Sequence, residues 1–172
     1  MTFDFRGAVV IAIALTAVVF DLRTRRIPNL LTFGAAAAAL AYATYDGGLS
    51  GLGLAAAGWL AAAALFFPFF ALGGTGAGDV KLLAALGAWL GPMESVWLAM
   101  FAAMAGGVLG LAVAIARGYL RTAFSNLWLM LMHWRVQGLE PVPGLTLKDT
   151  ASPRLAYAIP ITIGALCTLW RR

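Results

Sequence analysis

Apolar runs separated by brief polar breaks fill nearly all of this chain, and water cannot solvate such a pattern. Of 172 residues, 62% are hydrophobic and 11% are charged. A soluble domain carries about 25% charged residues and needs them to cover its surface. The chain therefore reads as an integral membrane protein. A transmembrane helix takes about 20 apolar residues, so this length holds one domain of roughly five to seven spans.

The runs predict helices over about Gly7–Asp21, Asn29–Tyr45, Leu52–Leu72, Asp79–Leu90, Glu94–Ala116 and Leu155–Trp170. Pro28, Asp46-Gly47-Gly48, the glycine-rich Gly73–Gly78 and Gly91-Pro92 punctuate them. The first run has no small-residue cleavage site behind it, only Asp21, Arg23, Arg25 and Arg26, and is read as a retained helix. Residues 117–154 differ in character. Leu120, Phe124, Leu127, Trp128 and Leu131 recur at helical spacing. They predict a helix over Tyr119–Trp134 lying in the membrane interface, with Trp128 and Trp134 at headgroup depth. Gln137–Pro153 reads as loop. The expected fold is an all-α polytopic bundle, a single domain over 1–172, with about six transmembrane helices plus that interfacial amphipathic helix.

Charge gives an orientation. If Arg23, Arg25 and Arg26 face the cytoplasm, alternation puts Lys81, Arg117, Arg121, Arg135, Lys148 and Arg154 on that side too. Arg6, Arg171 and Arg172 fall outside, with the N-terminus. The excess of basic residues inside fits a bacterial cytoplasmic membrane and an anionic inner leaflet. The net charge of +5 is accounted for in this way. No basic stripe interleaved with aromatics is present, so nucleic acid is not an expected partner. The single cysteine, Cys167, excludes an intrachain disulfide and a CxxC zinc site.

Among seven acidic residues, two stand where an apolar run meets a loop on the same side. Asp21 ends the first helix and Asp79 begins the fourth, and the parity of the intervening spans brings both to the cytoplasmic face. From Asp79 to Leu90 is about 18 Å of helix, short of the about 30 Å hydrocarbon core. An ionisable group near membrane depth is a candidate functional residue. Two carboxylates a few Å apart share one proton. The ionised member then takes a proton from a water, and the neutral member donates to the scissile carbonyl. This chemistry calls for no metal and no cofactor.

Plainer roles exist for each residue. Asp21 can pair with Arg25 one helical turn on, and Asp79 can cap a helix. The glycines can form a flexible turn, or let an extended substrate approach Asp79. The stretch is not a phosphate-binding loop, because no Gly-Lys-Ser/Thr is present. His133, the only histidine, reads as a polar residue of the interfacial helix. Lys81 with Ser125 is the same-side pair to be considered for a Ser–Lys dyad.

Gly76-Ala77-Gly78-Asp79-Val80-Lys81 matches the GxGDxK motif of type IV prepilin peptidases, and Asp21 followed by Ile27-Pro28-Asn29 resembles that family's other aspartate segment. The resemblance runs from the first helix through the fifth, with a less specific likeness over Tyr157–Gly164. It implies catalytic roles for Asp21 and Asp79, a loop shaped by Gly76 and Gly78, and supporting roles for Lys81 and Asn29. It implies an aspartic-type endopeptidase that removes the basic leader of a prepilin or pseudopilin at the cytoplasmic face. The long forms of the family carry paired cysteines and methylate the new N-terminus. This chain lacks the cysteines and is similar to the short form associated with Flp/Tad-type pili, so methylation is not expected. The alternatives are a presenilin-like intramembrane protease and a non-enzymatic membrane subunit or transporter. A transporter would be expected to show a second half resembling the first, and none is seen.

Overall fold

The computed structural model describes residues 4–72, 74–138 and 156–172. Among the described residues there are six helices: α1 (Phe5–Thr24), α2 (Asn29–Ala71), α3 (Ala77–Leu90), α4 (Pro92–Ala116), α5 (Leu120–Gln137) and α6 (Ala158–Arg171). The all-α bundle expected from the sequence is what forms. α1, α2 and α4 are each long and apolar enough to cross a membrane. At 14 residues each, α3 and α6 span about 21 Å, less than the hydrocarbon core.

Several boundaries move. The predicted turn at Asp46-Gly47-Gly48 contracts to one residue. Helical geometry continues through Asp46 and Gly47, and only Gly48 departs, at φ 59° and ψ −145°. That conformation is open to glycine and strained for other residues. It divides the 43 residues of α2, about 65 Å if straight, into two arms. The first arm runs alongside α3 in the same direction: Asn29 meets Lys81, and the Ala35 carbonyl accepts from Trp89 Nε1 at 3.0 Å. The second arm runs the opposite way, with Gly58 against Gly87 and Gly91, and then leads back to the start of α3.

α1 continues past Asp21 to Thr24. It stops at Arg25, in left-handed geometry, whose N–H bonds the Asp21 carbonyl at 2.9 Å. α3 begins at Ala77, two residues before Asp79. Gly91, at φ 88°, separates α3 from α4, and Pro92 stands at the first turn of α4, where its missing N–H costs nothing. α5 packs on α4 alone among the described helices, and Trp128 on it is exposed. The predicted start of the last helix at Leu155, most of the 137–153 loop and the side chain of Trp134 lie outside the described residues.

The bundle is small inside and large outside. Ala14, Ala17, Ala39, Ala62, Ala85, Ala102 and Ala165 are buried, while Leu15, Leu54, Leu60, Met104, Val108 and Leu111 are exposed. Membrane helices associate through small residues that let backbones approach, because hydrocarbon outside is no worse a solvent for leucine than the interior. α3 is the hub, buried on every side from Leu82 to Leu90. At its crossing with α2 and α4, Ser95 Oγ donates to the Gly58 carbonyl at 3.0 Å. A Cβ on Gly87 would stand 2.6 Å from that carbonyl oxygen and 2.7 Å from Ser95 Oγ.

Polar groups collect at the two rims. At one, Arg6 pairs with Asp46, Arg171 binds both oxygens of Glu94 at 3.0 Å, and Arg172 donates to the Leu90 carbonyl. The opposite rim holds the end of α1, both ends of α2, and the starts of α3 and α6. Gly87→Ala is expected to destabilise the bundle by about 1–3 kcal/mol through overpacking. Gly53→Ala, whose Cβ meets nothing within 4 Å, should cost nothing. Thermal unfolding of both variants in one detergent checks the contrast.

Candidate active site

Asp79 is the third residue of α3. Its Oδ2 accepts the Gly76 N–H at 2.9 Å, so the carboxylate closes back on the residue that starts the helix. The capping role weighed for it is thus present, with Gly76 rather than Asp79 as the cap residue. The first turn of a helix carries partial positive charge, which favours an anion there.

Asp21 comes from a different element and meets the same kind of environment. It is 8% exposed, although it lies in the last turn of α1, where the helix dipole opposes a carboxylate. Its Oδ2 turns away from that end and accepts the N–H of Ala158, the first residue of α6, at 3.2 Å. Asp21 is therefore not the solvated helix-end residue of the plainer reading. Each aspartate sits at a helix N-terminus, Asp79 in its own and Asp21 in that of α6. Both carboxylates stand at the same rim of the bundle, one at the end of α1 and the other at the start of α3.

Around them, Lys81 Nζ donates to Asn29 Oδ1 at 3.0 Å and lies 5.2 Å from the Phe33 ring centre. The two residues expected to support the site thus contact each other, and tie α3 to the start of α2. Neither Gly76 nor Gly78 has positive φ. Their value is room. A Cβ on Gly76 would stand 3.2 Å from Asp79 Oδ2, and one on Gly78 would stand 3.4 Å from the Ile27 side chain. The first distance is tight enough to push the carboxylate, whereas the second is an ordinary contact. Gly78 belongs to the first turn of α3, not to the preceding loop.

Three residues at this rim were not marked by any local pattern. Ala158 supplies the N–H that Asp21 accepts. Tyr157 immediately precedes it, with its ring against Phe66 of α2. Thr75, 7% exposed, has a hydroxyl with no hydrogen-bond partner among the described residues. A buried hydroxyl in that state costs about 1–3 kcal/mol and calls for an explanation. Ser125 and His133 lie on α5, which packs on α4 alone among the described helices. Among the described residues, no group of three His, Cys, Asp or Glu is placed to hold a metal ion.

Fold and rim together define a helical membrane protein with two acidic side chains gathered at one end. The chain belongs to the type IV leader peptidase family, whose family model matches residues 8–115, more than half of the 172. It is by that membership a membrane peptidase. No curated protein and no solved structure matches it. The matched stretch contains both aspartates and stops short of Tyr157 and Ala158.

Because an added methyl at position 76 displaces the Asp79 carboxylate by a few tenths of an ångström, Gly76→Ala should lower peptidase turnover about tenfold. Gly78→Ala should lower it less. Initial cleavage rates, normalised to folded protein, test the order of the two.

Proposed function

We propose that this chain removes the leader from prepilin-type proteins, with Asp21 and Asp79 as a proton-sharing pair. The observation that carries the reading is the placement of these two carboxylates at one rim. They arrive from helices α1 and α3, and each is held by a backbone N–H. Close carboxylates do not both ionise readily. The ionised member takes a proton from the attacking water, and the protonated member donates to the carbonyl oxygen of the scissile bond. The tetrahedral intermediate then collapses, the leaving amine takes up a proton, and the pair returns to its starting state.

The substrate is a prepilin or pseudopilin whose basic leader precedes an apolar helix. Such a helix can lie in the bilayer and present the junction at the rim. Gly74 and Thr75 precede the Asp79 turn, and the Thr75 hydroxyl has hydrogen-bonding capacity to spare for an extended backbone. This rim faces the cytoplasm of a bacterial inner membrane, with α5 in the interface beside it. The distribution of arginine supports that orientation, since Arg6, Arg171 and Arg172 lie at the opposite rim. The reading takes a Flp/Tad-type prepilin as substrate, cut without methylation of the new N-terminus.

Co-expression with a Flp-type prepilin tests the reading. A mobility shift is expected with the unchanged protein, and none with Asp21→Asn or Asp79→Asn, each still inserted in the membrane. Cleavage that survives both substitutions would sink the carboxylate pair. A cut mapped inside the apolar helix, rather than ahead of it, would favour intramembrane proteolysis instead.

A further inference from the structure

α6 lies beyond the residues that the family model matches, yet its first turn reaches Asp21. As the first residue of α6, Ala158 has an N–H that finds no partner within the helix. The Asp21 carboxylate is its partner. The position of this N–H depends on how α6 is seated, and α6 is seated mainly against α4. Two close approaches fix it. A Cβ on Gly164 would stand 2.7 Å from the Ala102 nitrogen, which sets the helix axes close together. Near the start of α6, the Tyr157 hydroxyl fits over Gly106. A Cβ on that glycine would overlap the hydroxyl and stand 2.8 Å from Cζ of the ring. The other side of the ring packs on Phe66 of α2, with centroids 6.0 Å apart. The neighbouring Gly107 has open space, and a Cβ there meets nothing within 4 Å.

We propose that Tyr157 is a positioning residue of the peptidase: wedged between Phe66 and the gap over Gly106, it holds the first turn of α6 where the Ala158 N–H meets Asp21. The inference rests on the reading of Asp21 as one of the reacting pair. Tyr157 acts through Ala158 and needs no contact with substrate. Its hydroxyl is the part of the wedge nearest α4, so an obstruction at position 106 should tilt the turn and release the Asp21 carboxylate.

The test uses the full chain in detergent with three variants: Gly106→Ala, Gly107→Ala, and Gly106→Ala combined with Tyr157→Phe. Hydrogen exchange at the Ala158 amide is read by NMR, and kcat and KM are measured for prepilin cleavage. Gly106→Ala should speed exchange about tenfold, the worth of one hydrogen bond to a charged acceptor. It should also lower kcat about tenfold with KM unchanged. Gly107→Ala should match the parent in both. Adding Tyr157→Phe removes the atom that the new methyl strikes first, and should recover part of the exchange protection and part of kcat. Equal exchange in the Gly106 and Gly107 variants would overturn the proposal. So would faster exchange with kcat unchanged, or a double variant no better than Gly106→Ala alone. If the parent cleaves no prepilin, the substrate reading fails, while the exchange measurements still decide whether Tyr157 holds the turn.

Discussion

Close backbone approach around α3 is the constraint on which the rest of the molecule depends. In hydrocarbon, helices gain nothing from hiding leucine, so cohesion must come from contact area and from hydrogen bonds between helices. Glycine and alanine supply the contact. Gly58, Gly87 and Ser95 bring α2, α3 and α4 to one point, and Trp89 anchors the first arm of α2 through the Ala35 carbonyl. A helix buried on all sides from Leu82 to Leu90 has little freedom to tilt or slide. Its N-terminal turn, with Asp79, is correspondingly fixed relative to the end of α1.

The two aspartates illustrate how a membrane protein keeps carboxylates at a partly dehydrated rim. Each accepts a backbone N–H from the start of a helix, a group that needs an acceptor in any case. The arrangement is economical in chemistry, since one contact satisfies an orphan donor and orients an acid. It also leaves Lys81 to join Asn29 rather than to neutralise Asp79.

Much of this was legible in the sequence, for reasons that differ from residue to residue. Gly91-Pro92 marks a break that any helix would respect, and the arrival of Asp21 and Asp79 at one end follows from counting apolar runs. The turn at residues 46–48 was legible as a place but not as a geometry, because nothing local says which of two consecutive glycines takes the positive φ. Asp79 as the third helical residue, rather than the first, depends on its side chain closing back on Gly76. The bond from Ala158 to Asp21 was out of reach. It joins positions 137 residues apart, through a backbone atom that every residue but proline carries. In the same way, only packing distinguishes Gly106, under a tyrosine, from Gly107 in open space.

The inverted interior, small inside and large outside, has a consequence for how such a chain can change over time. An ordinary core can drift in either direction, losing a methyl here and gaining one there. Here the floor has nearly been reached: positions such as Gly58, Gly87 and Ala102 can vary only by growing, and growth meets backbone. The lipid-facing side has no such floor or ceiling, since leucine, methionine, valine and phenylalanine serve equally well as solvent-matched cover. Diversity among chains of this design should therefore accumulate on the greasy exterior. Within the bundle, the glycines and alanines at the helix crossings should vary least, while large buried side chains such as Leu82, Leu86 and Phe66 can exchange with others of like volume.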